Sequence, residues 1–104
     1  MICMNKAVFE EYTAKEQPVL VEYWAPWCGY CTRIAPAMEK IDGQFPDLAI
    51  GQVNVDDEPQ LTRQEQIELI PTLVIYRGGK ALGSIVAPES RTAIEDFIQR
   101  TLEQ

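Results

Sequence analysis

The sequence has no histidine and only three cysteines among its 104 residues. A tetrahedral zinc site takes four nitrogen or sulfur ligands, so this supply is one ligand short and argues against a metal site. Three cysteines are also too few and too unevenly spaced for a disulfide framework. What remains is one close pair, Cys28 and Cys31, with Cys3 left over.

Cations and long apolar runs are scarce as well. Nine Lys and Arg residues stand against sixteen Asp and Glu residues, which gives a net charge of −7. Nucleic acids and anionic membranes are bound through cationic patches, so neither is expected as the main partner. No stretch approaches the roughly 20 apolar residues of a membrane span, and residues 1–6 are not typical of a signal peptide. We therefore expect a cytoplasmic protein.

The length and composition fit one globular unit. The residues are 46% hydrophobic and 24% charged, which is ordinary for a folded domain. We find no internal repeat, linker or low-complexity segment, so residues 1–104 are expected to form a single domain.

Apolar periodicity predicts alternating strands and helices. Strands are predicted at 2–4, 19–25, 48–55, 70–76 and 80–87, and helices at about 5–17, 28–43, 56–65 and from 90 onward. Pro36 should kink the second helix without ending it, because the apolar stripe continues in phase beyond it. Gly78-Gly79 predicts a hairpin turn. This order implies a central mixed sheet, parallel where helices cross over and antiparallel at the terminal hairpin.

Cys28 and Cys31 stand where a predicted strand meets the second predicted helix. At a helix N-terminus, unpaired N–H groups and the macrodipole favour a thiolate over a thiol. Cys31 follows one turn later, on the same side and near enough to close a disulfide ring. The pattern indicates a redox couple, although two buried structural thiols would fit the same spacing.

Glu22 interrupts an otherwise apolar predicted strand, residues 19–25. A carboxylate is costly to bury, so desolvation should raise its pKa. The alternative is a side chain that reaches the edge of the sheet, or one that pairs with an Arg or Lys.

The segment Trp24–Cys31, with the sequence Trp-Ala-Pro-Trp-Cys-Gly-Tyr-Cys, resembles the active site of thioredoxins and of the catalytic domains of protein disulfide isomerases. Ile70-Pro71-Thr72 is similar to their cis-proline loop, Pro36 to their helix kink and Gly78-Gly79 to their hairpin turn. The similarity extends over almost the whole chain. It implies an α/β thioredoxin fold, with a central mixed β-sheet of four to five strands flanked by helices on both faces, and a thiol-disulfide oxidoreductase.

The resemblance implies a role for each matching residue. Cys28 matches the exposed nucleophile that attacks a partner disulfide, and Cys31 matches the more buried thiol that resolves the mixed disulfide. Glu22 matches a buried acid that takes the proton from Cys31. Substrate contacts are expected at Trp27, Gly29, Tyr30, Ile70 and Pro71. Trp27 is expected to wall the substrate groove, and the alternative for it is an ordinary core tryptophan.

The resemblance also implies partners. We expect a monomer that reduces protein disulfides, receives electrons from an NADPH-dependent thioredoxin reductase, and needs no bound cofactor. One alternative is a disulfide oxidase or isomerase. Another is a protein-binding module in which redox chemistry is incidental.

Four positions depart from the family pattern. Tyr30 replaces a proline, and we expect a less reducing couple as a result. Gln52 replaces a lysine, so Glu22 should ionise less readily, and Ala87 replaces a glycine, which should narrow the range of substrates. Cys3 has no counterpart and is expected to be a buried strand cysteine, the alternative being a regulatory or dimerising thiol.

Overall fold

Five strands form one mixed sheet in the computed structural model, which describes residues 1–103. They are β1 (Ile2–Cys3), β2 (Val19–Trp24), β3 (Ala49–Asn54), β4 (Thr72–Arg77) and β5 (Lys80–Val86). The helices of the same residues are α1 (Lys6–Thr13), α2 (Gly29–Ile41), α3 (Pro59–Gln64) and α4 (Arg91–Leu102). The strand order is β1-β3-β2-β4-β5, which makes β2 the central strand.

Helices cover both faces of this sheet. On one face, α2 and α4 bury Met38 and Ile98 in a core cluster with Leu20 of β2. On the other face, α1 and α3 bury Phe9 and Leu61 in a second cluster. The predicted fold class, a mixed sheet of four to five strands between two helical layers, is confirmed.

The direction of β4 was predicted wrongly. A parallel strand was expected after the third helix, but β4 runs antiparallel to β2, while β1, β3 and β2 are parallel. The helix α3 has six residues and is about 9 Å long, whereas a strand of six residues is about 20 Å long. With so short a helix, the connection does not carry the chain back along the sheet, and β4 enters from the end at which β3 leaves.

The helix boundaries follow their capping residues. Asn5 and Ser90 cap α1 and α4 by accepting backbone N–H groups with their side chains. The helix α1 ends at Thr13, about four residues earlier than predicted. The helix α3 begins after Glu58, whose side chain makes no capping hydrogen bond in residues 1–103. Pro36 lies inside α2, which continues to Ile41 as predicted.

Cys3 is exposed, which corrects the prediction of a buried strand cysteine. It lies in a two-residue strand at the edge of the sheet, paired with β3 on one side only. An edge position of this kind is covered less well than an interior strand, and the sequence pattern alone does not distinguish the two.

No helix within residues 1–103 is both long enough and apolar enough to cross a membrane.

Gln66 lies between α3 and β4 with a positive φ of 60°. An L-residue with a side chain is disfavoured in this region, whereas glycine is not. We expect Gln66→Gly to raise the free energy of unfolding by about 0.5–1 kcal/mol in denaturant titrations. The matched control is Gln99→Gly on an exposed turn of α4, which should lower it by a similar amount. Equal losses in both variants would contradict the prediction.

Candidate active site

Cys28 lies at the N-cap of α2, directly after the turn that leaves β2. Its backbone is extended, with φ −81° and ψ 110°, and its carbonyl accepts the Thr32 N–H at 3.1 Å. The Sγ of Cys28 accepts the backbone N–H of Cys31 at 3.1 Å. The sulfur therefore takes the position in which a capping oxygen usually satisfies a free N–H group.

Cys28 and Cys31 form a disulfide, and their Cα atoms are 5.3 Å apart. This separation is within the range that disulfides span without backbone movement. Cys28 is 7% exposed and Cys31 is 4% exposed. Cys31 is the more buried of the two, as the resemblance implied, but in the disulfide form Cys28 is only slightly more accessible.

A small apolar cluster surrounds the disulfide. The two cysteines are buried together with Ala25, and Trp24, Tyr30, Val55 and Ile70 pack around them. Apolar neighbours limit the access of water to the sulfurs, and Cys28 retains the larger exposed fraction.

Trp27 is 69% exposed, which excludes the alternative of a core tryptophan. Its indole N–H donates to the Oδ2 of Asp56 at 2.7 Å. This hydrogen bond holds a large apolar surface at the rim of the site, one residue before Cys28. Asp56 was not among the predicted site residues, and the one signal for it in the sequence is its place directly after a predicted strand. It follows β3, whose carboxyl end meets that of the parallel strand β2.

The Ile70–Pro71 peptide bond is cis, as the resemblance implied. Pro71 is buried and precedes β4, and Ile70 packs against the cysteine cluster. The Pro71 carbonyl accepts the N–H of Ala87 at 2.8 Å. The cis-proline loop and the turn after β5 are therefore joined beside the cysteines.

Glu22 is 2% exposed in the middle of β2, the central strand. In the sheet register it pairs with Gln52 of β3 and Leu73 of β4. The Nε2 of Gln52 donates to the Oε1 of Glu22 at 3.0 Å. Burial of the carboxyl raises the pKa of Glu22, and the hydrogen bond from Gln52 offsets part of this rise.

Both alternatives for Glu22 are excluded. The side chain does not reach the edge of the sheet, because two strands lie on each side of β2. Within residues 1–103, no Lys or Arg forms a salt bridge with it. Its only side-chain partner in the same residues is the neutral amide of Gln52.

Tyr30 connects the start of α2 to the turn after β5. Its hydroxyl donates to the carbonyl oxygens of Ala87 and Pro88, each at 3.0 Å. Substrate contact was predicted for Tyr30, whereas its link to the turn after β5 was not predicted. Gly29, the first residue of α2, is exposed beside it, and a side chain at that position would meet no atom within 4 Å.

Ala87 has a positive φ of 47° in this turn. The resemblance placed a glycine at this position, and the backbone conformation explains why glycine suits it. Ala87 adopts the left-handed conformation while its N–H and its carbonyl are both hydrogen-bonded, to Pro71 and Tyr30 respectively.

Comparisons with known proteins agree with this geometry. A family model described as Thioredoxin matches residues 1–100. Thioredoxin 1 of a Nostoc species is 35% identical over 94 residues, covering 89% of this chain and 88% of the relative. A bifunctional thioredoxin reductase/thioredoxin of Mycobacterium leprae is 34% identical over 91 residues, covering 86% of this chain and 20% of the relative. The structure of Plasmodium falciparum thioredoxin superposes with a TM-score of 0.88 at 26% identity, over 96% of this chain and 98% of that one.

Proposed function

Because this chain belongs to the thioredoxin family, whose members are thiol-disulfide oxidoreductases, we propose that Cys28 and Cys31 are its reactive dithiol. The chain is a protein-disulfide reductase. The observation that supports the assignment is the pair of bonded sulfurs at the N-terminus of α2, one of them in the capping position. We propose that residues 1–104 carry out the reaction as a single domain.

In the first step, the Cys28 thiolate attacks one sulfur of the substrate disulfide. A bond forms between Cys28 Sγ and that sulfur, the substrate S–S bond breaks, and the other substrate sulfur leaves as a thiolate. The N–H of Cys31, 3.1 Å from Cys28 Sγ, and the N-terminal end of the α2 dipole favour the negative charge on Cys28 before attack.

In the second step, Cys31 attacks Cys28 Sγ and releases the second substrate thiol. Cys31 must lose its proton to do so, and the carboxylate of Glu22 accepts it. The protein dithiol is then a disulfide, and the substrate has gained the two electrons. Burial raises the pKa of Glu22, which keeps this carboxyl closer to the pKa of a thiol than an exposed glutamate would be.

Substrate contacts are proposed on the rim around Cys28. The exposed indole of Trp27 provides an apolar wall on one side, and Ile70 and Pro71 form the other. Gly29 follows Cys28 in the chain and carries no side chain, and the space that a side chain would enter there is open. The backbone of Ile70 is suited to pair with an extended substrate segment, since it lies outside the hydrogen-bonded part of β4.

The partners follow from the family. Protein disulfides are the substrates, and a thioredoxin reductase that uses NADPH is the proposed electron donor. The bifunctional M. leprae relative carries both names on one chain, which supports such a pairing. We further propose that the chain works as a monomeric electron carrier in the cytoplasm, since a dithiol that acts as a reductant needs a reducing compartment.

The test of the proposed function is reduction of insulin disulfides with dithiothreitol as electron source. Absence of turnover would leave the binding module as the better description.

A disulfide oxidase or isomerase is the second candidate, and Tyr30 is the observation that favours it. The residues between the cysteines help to set the potential, which is near −270 mV in thioredoxin. We expect the couple here to be less negative than about −270 mV, and Tyr30→Pro to move it towards that value. The measurement is equilibration with glutathione or dithiothreitol, followed by tryptophan fluorescence, in a Cys3→Ser background. For this two-electron couple, about 30 mV is a tenfold change in the equilibrium constant. A value at or below −270 mV would contradict the prediction, and there would then be no reason to assign an oxidase or isomerase function in addition to the reductase function.

A further inference from the structure

Tyr30 ties together three segments that surround the disulfide. Its hydroxyl donates to the carbonyls of Ala87 and Pro88, each at 3.0 Å, so one proton is shared between two acceptors. The Ala87 N–H in turn donates to the Pro71 carbonyl at 2.8 Å. A continuous path of hydrogen bonds therefore runs from α2, through the turn after β5, to the cis-proline loop. We call the hydrogen-bonded contact of Tyr30 with Ala87 and Pro88 the Tyr30 bridge.

The ring of Tyr30 is held on its faces as well as at its hydroxyl. It packs against the cysteine cluster and also against the larger core cluster between the sheet and α4. The guanidinium carbon of Arg33 lies 5.2 Å from the ring centre, within the range of a cation–π contact. Tyr30 is half-buried, and any displacement of its side chain breaks several of these contacts at once.

The Tyr30 bridge occupies one side of the reactive cysteine. The two carbonyls after β5 each accept the Tyr30 hydroxyl at 3.0 Å, so a substrate backbone that used either oxygen would share it with the phenol while the bridge is intact. The phenol also fills the space between α2 and the turn. The side of Cys28 that remains open is bounded by Trp27, which is 69% exposed, and by Ile70.

We propose that Tyr30 determines substrate specificity: the Tyr30 bridge selects disulfides carried on narrow, extended segments whose flanking residues are small. This inference rests on the proposed dithiol chemistry, in which Cys28 attacks and Cys31 resolves. A bulky residue next to the attacked cysteine meets the phenol, and it is accepted only when the tyrosine leaves both carbonyls. The cost of breaking the bridge then appears in the rate for bulky substrates and not in the rate for small ones.

Two peptide disulfides test the proposal. Each is the homodisulfide of one short peptide, and the two differ only in whether Gly or Phe flanks the single cysteine on both sides. The reduced protein, in a Cys3→Ser background, reacts with each peptide, and the second-order rate constant of its oxidation is followed by tryptophan fluorescence. The readout is the ratio of the Gly rate to the Phe rate. A change in the thiolate fraction or nucleophilicity of Cys28 affects both rates equally and leaves the ratio unchanged.

Tyr30→Ala should lower this ratio by roughly ten-fold or more, because it removes both the hydroxyl and the ring. Tyr30→Phe keeps the ring packing and removes only the hydrogen bonds, so the ratio should fall by roughly two- to ten-fold. The matched control is Tyr12→Phe, since Tyr12 lies on α1 with Lys15 stacked over its ring at 4.6 Å, and it should leave the ratio unchanged.

Equal ratios in the wild type, Tyr30→Phe and Tyr30→Ala would overturn the proposal. If Tyr30→Ala does not fold, Tyr30→Phe decides alone, since it conserves the shape of the side chain. A wild-type protein that reacts with neither peptide would contradict the proposed function instead. The two failures are therefore distinguishable.

Discussion

Cys28→Ser is expected to lower the catalysed rate of insulin reduction, measured above the rate given by dithiothreitol alone, by a factor on the order of 1,000 or more. A serine hydroxyl is not ionised near neutral pH, so the nucleophile is lost while the shape of the α2 N-cap is kept. The fold should persist, because serine is a good capping residue and its oxygen can accept the Cys31 N–H now bound to sulfur. The assay is turbidity of reduced insulin, with circular dichroism to check the fold.

Cys31→Ser separates the two steps of the reaction. Cys28 can still attack, but the second thiol is missing, so the mixed disulfide with the substrate should accumulate. Non-reducing electrophoresis and mass spectrometry detect this adduct, and a reducing agent should cleave it. Cys3→Ser is the control, since Cys3 is exposed in the edge strand β1 and belongs to neither step. An adduct formed by Cys28→Ser and not by Cys31→Ser would reverse the assigned roles.

The order and type of the elements were predictable from the sequence, because each carries its own local signal. The caps at Asn5 and Ser90 and the apolar stripe through Met38 and Ile41 depend only on neighbours in the chain. The direction of β4 was not predictable in the same way. It depends on the short length of α3 and on the pairing of β4 with β2, which is far from it in the sequence.

In the candidate site, too, some features were predictable from local sequence signals and others were not. The sequence alone identifies Cys28, Cys31 and Glu22 as candidate site residues. Two close cysteines and a carboxyl inside an apolar strand are both chemically unusual. The bond of Trp27 to Asp56 and the Tyr30 bridge join residues 29 and 57–58 positions apart. Such contacts are a product of topology, so they became visible only with the positions of the strands and turns.

Glu22→Gln is expected to slow the attack of Cys31 on the mixed disulfide by roughly 100-fold near neutral pH. At the same pH it should raise the free energy of unfolding. The amide conserves the shape and can still accept the hydrogen bond from Gln52, but it cannot take a proton from Cys31. The stability effect has the opposite sign because the folded state raises the pKa of Glu22 above its ordinary value of 4.5. Between the two pKa values the native state binds more protons than the unfolded chain, so wild-type stability falls as pH rises through that window.

Glu22→Gln lacks this titration, so its advantage in the free energy of unfolding should be smallest below pH 4.5 and grow as pH rises. Denaturant titrations at several pH values measure it, and single-turnover release of substrate thiol from the mixed disulfide measures the rate. A variant that loses stability at every pH, or that resolves as fast as the wild type, would remove Glu22 from the proton transfer.

Gln52 allows the same proton transfer to be tuned without removing the carboxyl. Gln52→Lys places a cation next to Glu22, which should lower the pKa of Glu22 and move the rising limb of the resolution rate to lower pH. Gln52→Leu removes the one contact that lowers this pKa, so the limb should move to higher pH. Gln60→Lys makes the same change of charge at an exposed position of α3. It should leave the pH dependence of the resolution rate unchanged. Opposite shifts in the two Gln52 variants would assign the titration to Glu22, because the side chain at position 52 is the hydrogen-bond partner of that carboxyl.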